Sequence, residues 1–285
     1  MTPFLDSELS AAERDPASAQ FEVIPVPLER TVSYGSGTKN GPQAILEASN
    51  ELERLFRGAE PCAAGIVTAP PIQCDGPLPQ VMARIEAASL AAVKAGRIPI
   101  TLGGEHSLSY GAVRGVVAGL DAPIGIVQID AHADLRLAYQ GERHSHASVM
   151  RLLAEEDQLP LAQIGVRALC AEEVEARARL NVLAWDGETI ARDGLDGLTL
   201  PDDFPEHIYI SFDVDGLDPA VLPHTGTPVP GGLSFWQALF ALDRLMDGRK
   251  LVGADVVELA PSPDSQASDF TAAQIAYALM GYVNN

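Results

Sequence analysis

The sequence predicts an α/β fold: a three-layer α/β/α sandwich around a mostly parallel sheet of about eight strands. Three observations predict it. Short β-branched runs alternate with stretches of helical length from residue 21 to the C-terminus, the pattern of βαβ units whose crossovers cover both faces of a parallel sheet. Three of those runs end in metal-ligating side chains, and open α/β sheets bind ligands at the carboxyl edge of their strands. No linker divides the 285 residues, so residues 21–285 read as a single domain. A closed (β/α)₈ barrel fits the strand count, but the irregular stretches 187–206 and 216–232 break the repeat such a barrel needs.

Residues 1–20 mix acids, Pro and Ser without an apolar core, and are expected to form a loosely held arm. FEVIPVP (21–27) is the first strand, and a Gly-rich turn then leads into a helix over 42–57. AAGIVTA (63–69) is the second strand. Residues 76–96 form a helix opened by Pro77 and Pro79, with Val81, Ile85, Leu90 and Val93 on its inner side. RIPITLGG (97–104) is strand three, and a helix covers 107–118. IGIVQIDA (124–131) is strand four, followed by a helix over 146–156. LAQIGVR (161–167) is strand five, 171–180 a charged helix, and NVLAW (181–185) strand six. HIYISFDVD (207–215) is strand seven, and a helix covers 234–246. KLVGADVVEL (250–259) is strand eight, and a helix over 270–282 closes the chain.

Composition excludes several classes. The net charge of −20 disfavours nucleic-acid binding, which needs a basic surface. No apolar run approaches the roughly 20 residues that span a bilayer, and the first twenty residues are no secretory signal. Cys62, Cys74 and Cys170 are too few and too scattered for a disulfide framework, which fits a reducing cytosol. Gly35, Gly37 and Gly41 match neither a Walker loop nor a dinucleotide fingerprint and read as an entrance or inter-subunit turn.

The chemistry lies where strands end. Asp130, His132 and Asp134 follow strand four at alternate positions, so in extended chain they project to one side. Strand seven delivers Asp213 and Asp215, and strand three, through the Gly103–Gly104 turn, delivers His106. Four Asp carry a formal charge of −4, which two divalent cations neutralise. Carboxylate and imidazole without thiolate favour a harder ion such as manganese, with zinc and cobalt as alternatives. Paired metals acidify a water between them to a pKa of about 7, so metal-assisted hydrolysis is the reaction class these residues suggest.

GGEHS (103–107), DAHAD (130–134), SFDVDGLDP (211–219), TGTPVPGGL (225–233) and VVELAP (256–261) resemble the ureohydrolase family of arginases and agmatinases. YGSGTKNGPQAI (34–45) is similar to the signature of its agmatinase-like branch. The resemblance implies an eight-stranded parallel sheet, two manganese ions, and hydrolysis of a guanidinium group to urea and an amine. It implies that His106, Asp130, Asp134 and Asp213 hold one ion. Asp130, His132, Asp213 and Asp215 hold the other, with Asp130 and Asp213 bridging. Asp134, His146 and Glu258 are the catalytic residues it implies, with Glu258 accepting the guanidinium and His146 shuttling a proton. His144, two residues earlier, competes for that last role. A homotrimer or homohexamer in the cytoplasm is the implied assembly.

The substrate is less legible. The loop LRLAYQGERHSH (135–146) lacks the Asn- and Ser-bearing pattern of arginine recognition. A small cationic guanidino compound is expected, agmatine first. A guanidino acid such as guanidinobutyrate is the alternative if Arg136, Arg143 or His144 supplies a cation. Arginine, formiminoglutamate or an inactive metal-binding protein rank below both. Asp218 is expected to order the following loop, 225–232 to shape the mouth, and Trp185 and Trp236 to pack. His207 and His224 are expected to be structural or surface residues.

Overall fold

The computed structural model describes residues 1–284. The elements in chain order are β1 (Phe21–Val26), α1 (Gly41–Ser49), β2 (Ile66–Thr68), α2 (Leu78–Lys94), β3 (Ile98–Gly103), α3 (Ser109–Gly119), β4 (Ile124–Ile129) and α4 (Val149–Arg151). They continue with β5 (Leu161–Ile164), α5 (Ala171–Arg179), β6 (Leu183–Trp185), α6 (Gly187–Asp193), β7 (His207–Asp213), α7 (Phe235–Met246), β8 (Lys250–Val257) and α8 (Ala267–Met280). All eight strands join one sheet in the order β2-β1-β3-β8-β7-β4-β5-β6, and every neighbouring pair is parallel. The chain therefore builds β1 to β3 on one side and β4 to β6 on the other. It then returns to lay β7 and β8 between the two sets.

Both faces of the sheet are covered. On one, Ile45 and Leu46 of α1, Leu242 and Leu245 of α7 and Ile275 and Leu279 of α8 pack on Val23, Ile100 and Ile210. On the other, Val81 and Ile85 of α2 and Ala112, Val113 and Val116 of α3 pack on Ile24, Ile126 and Tyr209. Leu90 and Val93 are only half-buried, and Met82, Ser89 and Ala92 take the inner positions with Val81 and Ile85. Helices α2 and α3 touch closely because α3 carries glycine at 111, 115 and 119. A Cβ on Gly115 would fall 2.4 Å from the Glu86 carbonyl.

The first twenty residues are not a loose arm. Phe4 and Leu5 are fully buried and join the core. The Leu5 amide donates to Ser49 Oγ at 2.8 Å and the Phe4 amide to Thr68 Oγ1 at 2.9 Å. The Glu13 carbonyl accepts the Ile66 amide at 2.9 Å, which occupies part of the open edge of β2. Arg54 clasps Glu13 at 2.7 Å. Burial of three apolar side chains, Phe4, Leu5 and Leu9, outweighs the polar composition around them.

Other boundaries move for local reasons. The helix over 42–57 ends at Ser49, well before Arg57, whose φ of 54° lies in the left-handed region. The stretch 146–156 is a 3₁₀ turn, one α-turn and a π-helical turn over Leu152–Glu156 in place of one regular helix. The irregular stretch 187–206 contains the short α6. Among the described residues no helix is long and apolar enough to cross a membrane.

Candidate metal centre

The sheet order makes β3, β8, β7 and β4 consecutive neighbours. Their carboxyl ends therefore face one small region, although they come from distant parts of the chain. β3 leaves the sheet through Gly104, where any Cβ would fall 1.9 Å from the Leu28 carbonyl. That turn presents His106. β4 ends at Ile129 and releases Asp130, His132 and Asp134; β7 ends in Asp213 and continues to Asp215; β8 is followed by Glu258. Asp134 and Glu258 both hold positive φ, 53° and 66°. Left-handed backbone at a residue with a Cβ costs roughly 1–2 kcal/mol, and its use at two side chains of one cluster aims both inward.

Two ligating groups result. His106, Asp130 and Asp134 form one, and Asp130, His132 and Asp215 the other, so Asp130 belongs to both. His106 Nδ1 lies 3.1 Å from Asp130 Oδ2, 2.9 Å from Asp134 Oδ2 and 3.4 Å from Asp213 Oδ2. His132 Nδ1 lies 3.1 Å from Asp215 Oδ2 and 3.5 Å from Asp130 Oδ1. Despite those neighbours His106 Nδ1 is buried without a well-directed hydrogen bond. Its ring is fixed from behind, Nε2 meeting Ser211 Oγ at 2.8 Å, and Ser211 donating to Asp255 Oδ1 at 2.8 Å. A histidine oriented through one nitrogen by a carboxylate network, with the other aimed at a group of acids, is the usual support of a metal ligand.

The acids are held in the same manner. Asp130 Oδ1 accepts the His132 amide at 2.6 Å and Asp213 Oδ1 the Asp215 amide at 2.9 Å. Asp215 Oδ1 accepts the Ala131 amide at 3.0 Å. Asp130, Asp213 and Asp215 thus each spend one oxygen on the backbone and leave the other for the cluster. Electrostatics favour a cation. Burial and the charge of Asp130 push Asp134 up to about 7. Burial and the charges of Asp215 and Asp130 push Asp213 well above the ordinary carboxylate range. Burial works against a charged His132 ring, yet Asp130 and Asp215 raise it to about 12. Divalent ions relieve this accumulation of buried negative charge.

A cavity of about 20 Å³, room for about one water, is lined by His106, His132, Asp134, Asp213, Asp215, His146 and Glu258. Glu258 Oε1 accepts the His106 amide at 2.6 Å. Burial, joined by the neighbouring Glu105, pushes its carboxyl up to about 8. His146 Nδ1 meets Thr31 Oγ1 at 3.1 Å, and burial holds its ring below the ordinary value. His144 lines neither this cavity nor the adjoining one; it packs against Tyr110 at 5.1 Å. The adjoining cavity, about 330 Å³, shares Ser33, His132, Asp134, His146 and Thr227 and adds Arg136, Tyr139 and Glu173. Arg136 stacks over Tyr139 at 5.5 Å, whereas Arg143 pairs with Glu156 outside it.

Neighbouring loops complete the mouth. Gly35 donates to the Gly226 carbonyl at 3.0 Å, joining the Gly-rich turn to the 225–232 loop. Asp218 accepts the amides of Ala220, Gly231 and Gly232. Trp185 donates to the Gly197 carbonyl; Trp236 is half exposed in a stack with Phe56 and Phe240. His224 meets Ser268, and His207 opens β7. Sequence reasoning passed over Gln128, Ser211 and Asp255, although a polar residue inside an apolar strand is itself a signal. It also missed Thr31, Glu105 and Glu173, which no local pattern marks.

A parallel α/β/α sandwich whose strand ends gather four aspartates and two histidines around a cavity defines a metal-dependent hydrolase of the arginase fold. The chain belongs to the arginase family, whose model matches residues 19–281. It is 35% identical to the N(1)-aminopropylagmatine ureohydrolase of Synechocystis sp., covering 98% of this chain and 93% of that protein. It is 32% identical to the agmatinase of Pyrococcus horikoshii, covering 94% and 93%. The crystal structure of agmatine ureohydrolase of Thermoplasma volcanium superposes with a TM-score of 0.83 at 31% identity, covering 98% and 97%.

Proposed function

We propose that this chain hydrolyses a guanidino amine to urea and an amine, agmatine to putrescine and urea first, on two manganese ions. The observation that carries the reading is the inward convergence of His106, Asp130, His132, Asp134 and Asp215, with Asp213 beside them. His106, Asp130, Asp134 and Asp213 would hold one ion. Asp130, His132, Asp213 and Asp215 would hold the other. When bound, such ions supply a water acidified to a pKa of about 7.

The remaining work falls to side chains. Glu258 has one oxygen engaged by the His106 amide; the positive charge of the ions and of the guanidinium would favour its carboxylate form, and the other oxygen accepts a guanidinium N–H and orients its carbon. Asp134 lines both cavities and accepts a hydrogen bond from the attacking water. Thr31 Oγ1 donates to Glu105, so His146 Nδ1 donates to Thr31 and leaves Nε2 as the free acceptor; Nε2 takes up a proton from solvent and passes it to the leaving amine. Guanidinium and water become urea and an ammonium ion, so charge and atoms balance.

A second reading keeps this chemistry and lengthens the substrate to N(1)-aminopropylagmatine. The 330 Å³ cavity favours it, because its Glu173 carboxylate, though bound to the amides of Leu135 and Cys170, keeps lone pairs for an ammonium. The name of the Synechocystis relative supports it too. The free state of Cys62, Cys74 and Cys170 fits a cytosolic enzyme, and a trimer or hexamer is the assembly to test by light scattering. Urea release from agmatine, N(1)-aminopropylagmatine, guanidinobutyrate and arginine, with manganese supplied, tests the substrate. A guanidino amine should lead the acids by at least about tenfold in kcat/KM, one charge-assisted contact. No urea from any of the four, with both ions bound, overturns the proposal.

A further inference from the structure

Asp130 belongs to both ligating groups and is completely buried. Its Oδ2 accepts from Gln128 Nε2 at 2.7 Å. Gln128 Oε1 in turn accepts from Gln163 Nε2 at 2.6 Å, and Gln163 Oε1 accepts from Arg177 Nε at 2.8 Å. Arg177 Nη1 pairs with Asp186 Oδ1 at 2.8 Å. The elements make this line possible: Gln128 on β4 and Gln163 on β5 are partners in register, so their side chains lie on one face of the sheet, and α5 places Arg177 beyond them. The line leads from the largely buried Arg177 side chain of α5 to the heart of the cluster.

Its polarity is set at both ends. A guanidinium only donates and a carboxylate only accepts. Gln163 must therefore turn its oxygen to Arg177 and its amino group to Gln128. Gln128 must then turn its oxygen to Gln163 and its amino group to Asp130. The second proton of the Gln163 amino group is taken by the Ala133 carbonyl at 2.7 Å, which opposes a flip. We propose that Arg177, Gln163 and Gln128 form a positioning relay for the metal centre, holding the shared carboxylate of Asp130 in its ligating orientation from α5 across the neighbouring strand β5. None of the three touches substrate. The inference rests on the binuclear-metal reading above.

The test is manganese affinity and stoichiometry, measured by competition with a fluorescent chelator on the full chain, with thermal melting as a folding check. Wild type should take up two ions. Loss of an outer-shell partner typically lowers metal affinity about 10–100-fold, so Gln128→Leu should fall in that range. Arg177→Met should weaken binding at least about threefold, and Arg177→Lys, still donor-only, should recover most of it. Because the effect of Arg177 passes through Gln128, the double variant should match Gln128→Leu alone. If Gln128→Leu does not fold, Arg177→Met against Arg177→Lys decides by the same criterion. Two ions bound with unchanged affinity in the variants overturns the relay alone, as do effects that multiply in the double variant. A wild-type chain that takes up fewer than two ions overturns the metal reading and the relay with it.

Discussion

Replacing Glu258 with Gln separates the two jobs proposed for its carboxylate. Oε1 is engaged by the His106 amide at 2.6 Å, and that backbone N–H can only donate. A glutamine must therefore give its carbonyl oxygen to His106 and turn its amino group into the cavity. There it meets the N–H groups of a guanidinium, donor against donor. The loss of one charge-assisted hydrogen bond is about 1.5–3 kcal/mol, or roughly 10- to 150-fold by the 1.36 kcal/mol that makes a factor of ten. A misplaced reacting carbon adds about 100-fold. Urea release, followed as kcat/KM on the best guanidino substrate, should fall by about 10³-fold or more. Manganese content and melting temperature should stay near wild type. Activity within tenfold of wild type, at full metal loading, would refute the assignment of the second oxygen to substrate.

Other outcomes follow from the same geometry. His146→Ala should lower kcat by about 10²–10⁴-fold, the usual span of acid–base catalysis. His144→Ala, against Tyr110 and away from both cavities, should stay within about threefold; the reverse ranking in a steady-state assay would move the proton shuttle. Arg136→Ala should change the ratio of activity on agmatine to that on guanidinobutyrate, whereas Arg143→Ala, paired with Glu156, should leave the ratio alone. Phe4→Ala should cost about 3–5 kcal/mol in denaturant unfolding, and a value below 1 kcal/mol would return the N-terminal segment to a loose arm. Glu13 is held down to about 2 by the Arg54 guanidinium first and by Ser10. Its stabilisation is full above the unfolded carboxylate value and fades as pH falls toward the folded one. Glu13→Gln should therefore destabilise at pH 7, with the difference shrinking by pH 3 in parallel unfolding curves.

Much of the fold was legible because the sheet is buried on both faces, so its strands stand out as apolar runs of the right length. The gathering of ligands was legible for a related reason: an acid or histidine directly after such a run has few places to go. The order of strands was not. Nothing in residues 98–134 says that β8 and β7 will separate β3 from β4. The N-terminal segment was misjudged because Phe4, Leu5 and Leu9 make no periodic pattern, and their value depends on Ser49, Thr68 and β2 being there to receive them. Gln128, Ser211 and Asp255 were readable in principle as polar residues inside apolar strands. Thr31, Glu105 and Glu173 matter only through partners brought close by the fold. The left-handed backbone at Asp134 and Glu258 leaves no mark in residue type.

The late insertion of β7 and β8 also bears on how the chain emerges from the ribosome. When the first two hundred residues have been made, two three-stranded sheets can exist, and the strands β3 and β4 each expose an unpaired edge. Those edges present unpaired backbone N–H and C=O groups that can pair with each other or with another nascent chain. The final stretch fills the gap and also supplies Asp213, Asp215 and Glu258. A chain cut short before residue 207 would be left with two sticky edges and an incomplete ligand set. The strand order thus makes the closing of the sheet and the completion of the Asp and His cluster depend on the same late segment of the chain.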